Sequence, residues 1–249
     1  MAIPGKEIFR SYDDIGPVQV LDDGNKRYLA FGSDDEQSCQ LKAQPTQLQY
    51  EYTRAMILAL LFHSEPKRAL LLGLGGGSLA GCLFQHWPEL LMTAVELRRT
   101  VIDIAHRHFQ LPRDERLVVL EADAGDYLRE HEPNDFDLIF SDLYGAEGVD
   151  DLQLQERYLD QCLACLSRDG WLVLNCWREH RSQTDFIQTL KQRFVDVRVC
   201  MTQSGNWIIL CGRQRSKLND KQLREHAKRL GSQLGFSLQT PLAKLRPVA

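Results

Sequence analysis

Ala69-Leu-Leu-Leu-Gly73-Leu-Gly75-Gly76-Gly77-Ser78 joins a short apolar strand directly to a glycine-rich loop. Glycines at 73, 75, 76 and 77 permit positive φ and let the backbone approach a ligand closely. The helical pattern that follows turns its N-terminus toward that ligand. A dinucleotide fingerprint, G-x-G-x-x-G, needs its third glycine where Ser78 stands. G-x-G-x-G before a helix suits instead a nucleoside carrying an amino-acid-type arm, which has no pyrophosphate to cradle.

Downstream of the loop, helical and strand patterns alternate. Helices are predicted over 79–87, 98–109, 124–130, 152–166 and 183–194. Strands are predicted over 92–95, 117–120, 136–140, 170–175, 195–200 and 207–211, the last two forming an antiparallel hairpin around Gln203-Ser-Gly-Asn. Continuous apolar strands alternating with amphipathic helices imply an α/β fold whose mostly parallel sheet is buried on both faces. Upstream, Leu48, Tyr52, Met56, Ala59 and Leu60 recur at helical spacing over 48–62. Before them, strands at 18–21 and 27–31 flank the turn cluster Asp22-Asp-Gly-Asn, and 37–41 adds a third. So small a β unit is marginal alone and is expected to lie against the main domain or a second subunit. The reading divides the chain into a β unit at 1–45, a Rossmann-like nucleoside-binding domain at 46–213, and a charged tail at 214–249. The tail has a partly amphipathic helix over 223–234 and is expected to be a solvated appendage.

Bulk properties narrow the function. The 249 residues are 43% hydrophobic and 26% charged, ordinary for a globular protein. A net charge of −4 provides no broad basic field for nucleic acid. The longest apolar stretch, 55–62, is far too short to span a bilayer, and the N-terminus lacks a signal-peptide pattern. The seven cysteines are odd in number and mostly sit in apolar runs, as buried thiols in a reducing, cytoplasmic setting do. Cys162 and Cys165 form a CxxC without a second cluster and read as helix core, so no metal is expected. His106 and His108 read as partly exposed helix residues.

Acidic residues close three of the strands. Glu96 ends Thr93-Ala-Val-Glu, where a carboxylate can accept both ribose hydroxyls, or merely cap the next helix. Asp123, before Ala124, can accept from an adenine amino group and equally can cap a helix. Asp142 ends Asp137-Leu-Ile-Phe-Ser-Asp, at the carboxyl end of a strand near the switch point of an open sheet. A carboxylate there can orient or deprotonate an amine attacking a sulfonium-activated carbon. Tyr144 and Trp177, just past two strand ends, either wall an acceptor pocket or are ordinary surface aromatics.

With the glycine loop, these residues resemble the spermidine synthase family of aminopropyltransferases, over about 16–213, with the Rossmann-like fold of class I methyltransferases. The resemblance implies a nucleoside site of Gly73, Gly75, Gly76, Gly77, Ser78, Glu96, Asp123 and Ala124. Gln37 of Glu36-Gln37-Ser38 is similar to a family glutamine that contacts the nucleoside from the small domain. It implies catalysis by Asp142 with Tyr144 beside it, and decarboxylated S-adenosylmethionine or S-adenosylmethionine as co-substrate. The partners it implies are a small-molecule amine or other nucleophile and a second copy of the chain, with neither nucleic acid nor membrane. The chain departs from the family at the acceptor. The family follows its three glycines with an aspartate that holds the aminopropyl amine, where this chain has Ser78. Gly145 stands where a second aspartate is usual. Thr53 and Ala55 replace a tyrosine and a glutamate. Each lost carboxylate contact removes about 1.5–3 kcal/mol of binding to a dicationic diamine. Methyl transfer to a small molecule, or a non-catalytic nucleoside-binding dimer module, are the alternatives.

Overall fold

The computed structural model describes residues 3–32, 36–145, 148–149 and 151–248; the extreme ends of the predicted β unit and tail lie outside them. A four-stranded antiparallel sheet comes first: β1 (Lys6–Asp13), β2 (Gly16–Asp22), β3 (Lys26–Ala30) and β4 (Glu36–Leu41). β1 escapes the sequence pattern because it is an edge strand whose residues are nearly all exposed or half-exposed. The sheet does not stand alone. Val18, Val20 and Leu29 pack against Val101, Ile104 and Phe109 of the main domain in one buried cluster.

The chain then enters α1 (Glu51–Met56), which tightens into a 3-10 turn at Ile57–Leu61. The expected continuous helix over 48–62 is thus shorter and starts later, at the extended Tyr50. The order continues β5 (Arg68–Leu72), α2 (Ser78–His86), β6 (Leu91–Glu96), α3 (Arg99–His108), β7 (Leu117–Glu121), α4 (Ala124–Glu130) and β8 (Phe136–Ser141). A small pair, β9 (Tyr144–Gly145) and β10 (Gly148–Val149), precedes α5 (Glu156–Cys165), β11 (Leu166–Trp177), α6 (Thr184–Arg193), β12 (Asp196–Met201) and β13 (Asn206–Gly212). The start of α5 falls four residues after the predicted 152, behind a 3-10 turn at Asp151–Leu154.

The main sheet runs β14-β12-β13-β11-β8-β5-β6-β7, where β14 is the terminal strand Arg246–Pro247. β11, β8, β5, β6 and β7 are parallel to one another, whereas β13 lies antiparallel between β11 and β12. β5 shows why the central strands read as unbroken apolar runs. Ala69 and Leu71 feed the core on one face, and Leu70 and Leu72 feed the core on the other. The chain order reverses direction at β5, between β6 on one side and β8 on the other, which is the switch point at which open α/β sheets bind ligands.

The tail is not a solvated appendage. α7 (Asp220–Leu234) is capped by Asn219, whose Oδ1 accepts from the Gln222 amide at 3.0 Å while Gln222 answers the Asn219 amide at 3.0 Å. It buries Leu223, Ala227, Gly231 and Leu234, a narrow stripe among many charged residues. α8 (Gln239–Lys244) packs on β12, and β14 (Arg246–Pro247) pairs with β12 as the outermost strand.

Candidate active site

A chamber of about 650 Å³ lies between the small sheet and the carboxyl ends of the parallel strands. Its floor is the glycine loop, wedged at the switch point. The Gly73 amide donates to the Val95 carbonyl at 2.8 Å, and the Asp142 amide donates to the Leu72 carbonyl at 2.8 Å. Gly73 has φ +89°, and a Cβ there would stand 2.3 Å from the Asp142 carbonyl oxygen. Only glycine lets these two strand ends meet. The loop is also pinned from above, where the Gly76 amide donates to Ser38 Oγ on β4 at 2.8 Å. A Cβ on Gly76 would press within 2.9 Å of the Ser38 side chain. Gly77, with φ +75°, precedes α2 as its N-cap.

Glu96, at the end of β6, is buried. Its Oε2 accepts from the Leu74 amide at 3.0 Å and its Oε1 from the Arg98 amide at 3.0 Å. Burial raises its carboxyl above the ordinary value, although these amides work in the opposite direction. Each carboxylate oxygen keeps a further acceptor site for a ligand hydroxyl. Arg98, also buried, forms an ion pair with Asp13 at 2.7 Å and lies over the Phe31 ring, tying the β1–β2 turn to the rim. Asp123 is exposed on the chamber wall beside the buried Ala124. Its Oδ1 caps α4 by accepting from the Asp126 amide at 2.9 Å. Gln37 lines the opposite wall, next to Ser38.

Asp142 stands at the centre. Asn175 Nδ2, from β11, donates to its Oδ1 at 2.7 Å, and the Tyr52 hydroxyl of α1 lies near its carboxylate. Burial pushes the Asp142 carboxyl up to about 6 against the opposing pull of Asn175 and Tyr52, and the nearby Glu96 charge adds to the rise. Asn175 is held in turn. Its carbonyl accepts from Gln153 Nε2 at 2.8 Å, and Gln153 Oε1 accepts from Ser141 Oγ at 2.8 Å. Asn206 Nδ2, at the start of β13, donates to Asn175 Oδ1 at 3.2 Å and approaches the Tyr144 hydroxyl at 3.4 Å. Tyr144 and Trp177 face each other with ring centroids 6.1 Å apart. The antiparallel β12–β13 hairpin carries its turn residues, Gln203 and Ser204, onto this same rim.

The sequence-predicted residues Gln37, Gly73, Gly75, Ser78, Glu96, Asp123, Ala124, Asp142 and Tyr144 all line the one chamber. Gly76 and Gly77 lie in the loop but turn toward Ser38, Phe109 and Leu111 instead. The Ser78 Oγ is buried without a hydrogen-bond partner among the described residues. Ser38, Tyr52, Asn175 and Asn206 escaped sequence reasoning. Tyr52 reads as core because it fits helical spacing, while Asn175 carried a usable signal, an amide closing an otherwise apolar strand. Among the described residues no group of three or more His, Cys, Asp or Glu is arranged to hold a metal ion, and no helix is long and apolar enough to cross a membrane.

A mostly parallel sheet with an antiparallel strand inserted beside β11, and a nucleoside-sized chamber at its switch point, define a Rossmann-like transferase of the class I methyltransferase type. Within that class, the chain belongs to the spermine/spermidine synthase family, whose domain model matches residues 51–210. A polyamine aminopropyltransferase of Neisseria meningitidis is 31% identical over 234 residues, covering 92% of this chain and 89% of the relative. Two solved structures share the fold. A spermidine synthase in complex with the transition-state analogue AdoDATO has a TM-score of 0.74 at 18% identity, over 96% of this chain and 84% of its own. Human methyltransferase-like protein 13 in complex with SAH has a TM-score of 0.67 at 24% identity, over 75% and 93%.

Proposed function

We propose that the chain transfers an aminopropyl group from decarboxylated S-adenosylmethionine to an amine. The observation that carries this reading is the position of Asp142, a carboxylate at the switch point held by Asn175 beside Tyr52, between the glycine loop and an aromatic wall. The chamber's donor set fits a sulfonium nucleoside. Glu96 would accept the ribose hydroxyls on its remaining lone pairs, and the free oxygen of Asp123 would accept from the adenine amino group above Ala124. Gln37 would reach the nucleoside from the small sheet, with Gly73, Gly75 and Ser78 along the arm that leads to sulfur. The AdoDATO-bound and SAH-bound relatives of this fold support a donor of this chemical type.

In this reading Asp142 draws in the acceptor ammonium and takes one proton from it. The freed nitrogen lone pair attacks the methylene carbon bonded to sulfur. A C–N bond forms, the C–S bond breaks, and the sulfur departs with the electron pair as the neutral thioether of methylthioadenosine. With its carboxyl near 6, Asp142 is ionised at neutral pH yet basic enough to receive a proton. Tyr52 and Tyr144 keep their protons, since burial raises both phenols well above their ordinary value. They orient and wall the site, and neither acts as a base.

The test supplies each donor separately with a panel of amines. Methylthioadenosine released from the decarboxylated donor is the expected product. S-adenosylhomocysteine released from intact S-adenosylmethionine, with no methylthioadenosine, would replace aminopropyl by methyl transfer. The same reading includes a homodimer, supported by Ile8, Tyr12 and Ile15, which are 46%, 65% and 49% exposed on the small sheet.

A further inference from the structure

A chain of polar contacts runs from the tail to Asp142. Lys244 Nζ, on α8, is ion-paired with Glu51 Oε1 of α1. Glu51 Oε2 accepts from the Gln203 amide at 2.7 Å, which fixes the β12–β13 turn against α1. Within the turn, Ser204 Oγ donates to Asn206 Oδ1 at 2.8 Å, and the Asn206 backbone amide donates to Thr202 Oγ1 at 2.9 Å. With its oxygen taken by a hydroxyl, the Asn206 side chain turns its Nδ2 to Asn175 Oδ1, at 3.2 Å. The buried Asn175 then has its Nδ2 left for Asp142, to whose Oδ1 it donates at 2.7 Å. The two ends of a side-chain amide are told apart by their partners, and here the order of partners orients both amides in sequence.

The orientation of Asn175 matters because Asp142 has two forms. An ionised carboxylate only accepts, and Asn175 Nδ2 satisfies it. A protonated carboxyl has a hydrogen to donate and would be served by Asn175 Oδ1. Turning Asn175 around to supply that oxygen would set its Nδ2 against Asn206 Nδ2, donor facing donor. Asn206 thus leaves the ionised form of Asp142 satisfied and denies the protonated form its partner. The other titratable groups facing Asp142 are Glu96 on β6, whose charge favours protonation, and Tyr52 and Tyr144, whose buried phenols stay neutral. We infer that Asn206 is a positioning residue for Asp142: by locking the orientation of Asn175 it keeps the carboxylate ionised and ready to take the acceptor's proton. The inference rests on the aminopropyl-transfer reading.

Protein carrying carbon-13 at its aspartate carboxyl carbons reports each titration by NMR, and the Asp142 signal is the one missing from Asp142→Asn. Asn206→Leu, which removes the donor at similar size, should raise the Asp142 midpoint by about one unit. Asn206→Asp, nearly isosteric and safe for the hairpin, should raise it further, because an acceptor at that position turns Asn175 around. Asn175→Leu should raise it too. Adding Asn206→Leu to that variant should change nothing more, since the amide through which Asn206 acts is gone. With the decarboxylated donor and 1,4-diaminobutane, the acid limb of kcat should move to higher pH in both Asn206 variants. An Asp142 midpoint unmoved by both of them overturns the inference, as does a further rise in the double variant, and either result leaves aminopropyl transfer standing. Absence of methylthioadenosine with every amine instead defeats the transfer reading, while the NMR midpoints, which need no turnover, still decide whether Asn206 sets the state of Asp142.

Discussion

Replacing Asp142 by Asn separates what the carboxylate does for turnover from what it does to the fold. The Asp142 carboxyl moves from 3.8 to about 6 on folding. Because the native state holds this proton more tightly than the unfolded chain does, the contribution of Asp142 to stability is greatest below pH 3.8. It falls as pH rises through about 6 and stays lowered above that. The full penalty is about 3 kcal/mol, and about half of it is present at pH 5. Asn removes the charge and turns the charge-assisted hydrogen bond from Asn175 Nδ2 into a neutral one. Weakening that hydrogen bond costs back about 1 kcal/mol. The net expectation at pH 8 is a gain of about 1–2 kcal/mol, equivalent to a Tm rise of about 2–8 °C for a domain of this size. At pH 5 the gain should nearly vanish. Turnover should fall about 10²–10⁴-fold with nucleoside affinity nearly unchanged, and the wild-type kcat should decline as pH drops through about 6. Thermal unfolding of both proteins at pH 5 and pH 8 measures the stability effect. Equal destabilisation by Asn at both pH values would refute the argument, because it would mean that the ionised carboxylate is fully satisfied in the native site.

Glu96→Gln should weaken methylthioadenosine binding at least tenfold, since a neutral amide cannot accept two charge-assisted hydrogen bonds; unchanged affinity by calorimetry would remove Glu96 from the site. Ser38→Ala leaves the buried Gly76 amide without its acceptor and should cost about 1–3 kcal/mol in denaturant unfolding, with nucleoside affinity reduced as the loop loosens. Sedimentation at micromolar concentration should give a species of twice the 28.6 kDa chain mass, and a purely monomeric boundary would count against pairing through the small sheet.

The parts of the fold legible in the sequence are those where one physical demand dominates. β5 must be apolar on both faces and must end in a residue without a Cβ, so Leu70, Leu72 and Gly73 announce both the strand and the site. Glu96 and Asp142 stand out because a carboxylate closing an apolar strand has no packing purpose. Where two demands overlap, the sequence is ambiguous. Tyr52 satisfies helical periodicity and yet lines the chamber near Asp142, so its place in the candidate site is hidden beneath a structural one. Ser38 looks like any small residue of an antiparallel strand, and only the docking of β4 over the loop brings it to Gly76. α7 conceals its buried stripe because Leu223, Ala227, Gly231 and Leu234 are small or widely spaced among charged neighbours. The Lys244–Glu51 pair spans most of the chain and follows from no local pattern at all.

The antiparallel placement of β13 has a consequence for how this architecture can diversify. Had β13 run parallel, its connection to β12 would have crossed to the opposite end of the sheet. Instead the hairpin delivers Gln203 and Ser204 to the acceptor rim on a turn anchored by two strands that hold their own core contacts. Doubling the length of such a turn adds only about 0.6 kcal/mol of closure entropy. Insertions there can therefore rebuild one wall of the chamber without disturbing Gly73 or Glu96. In the proposed reading, the scaffold that would hold the donor and the rim that would admit the acceptor can thus change independently of one another.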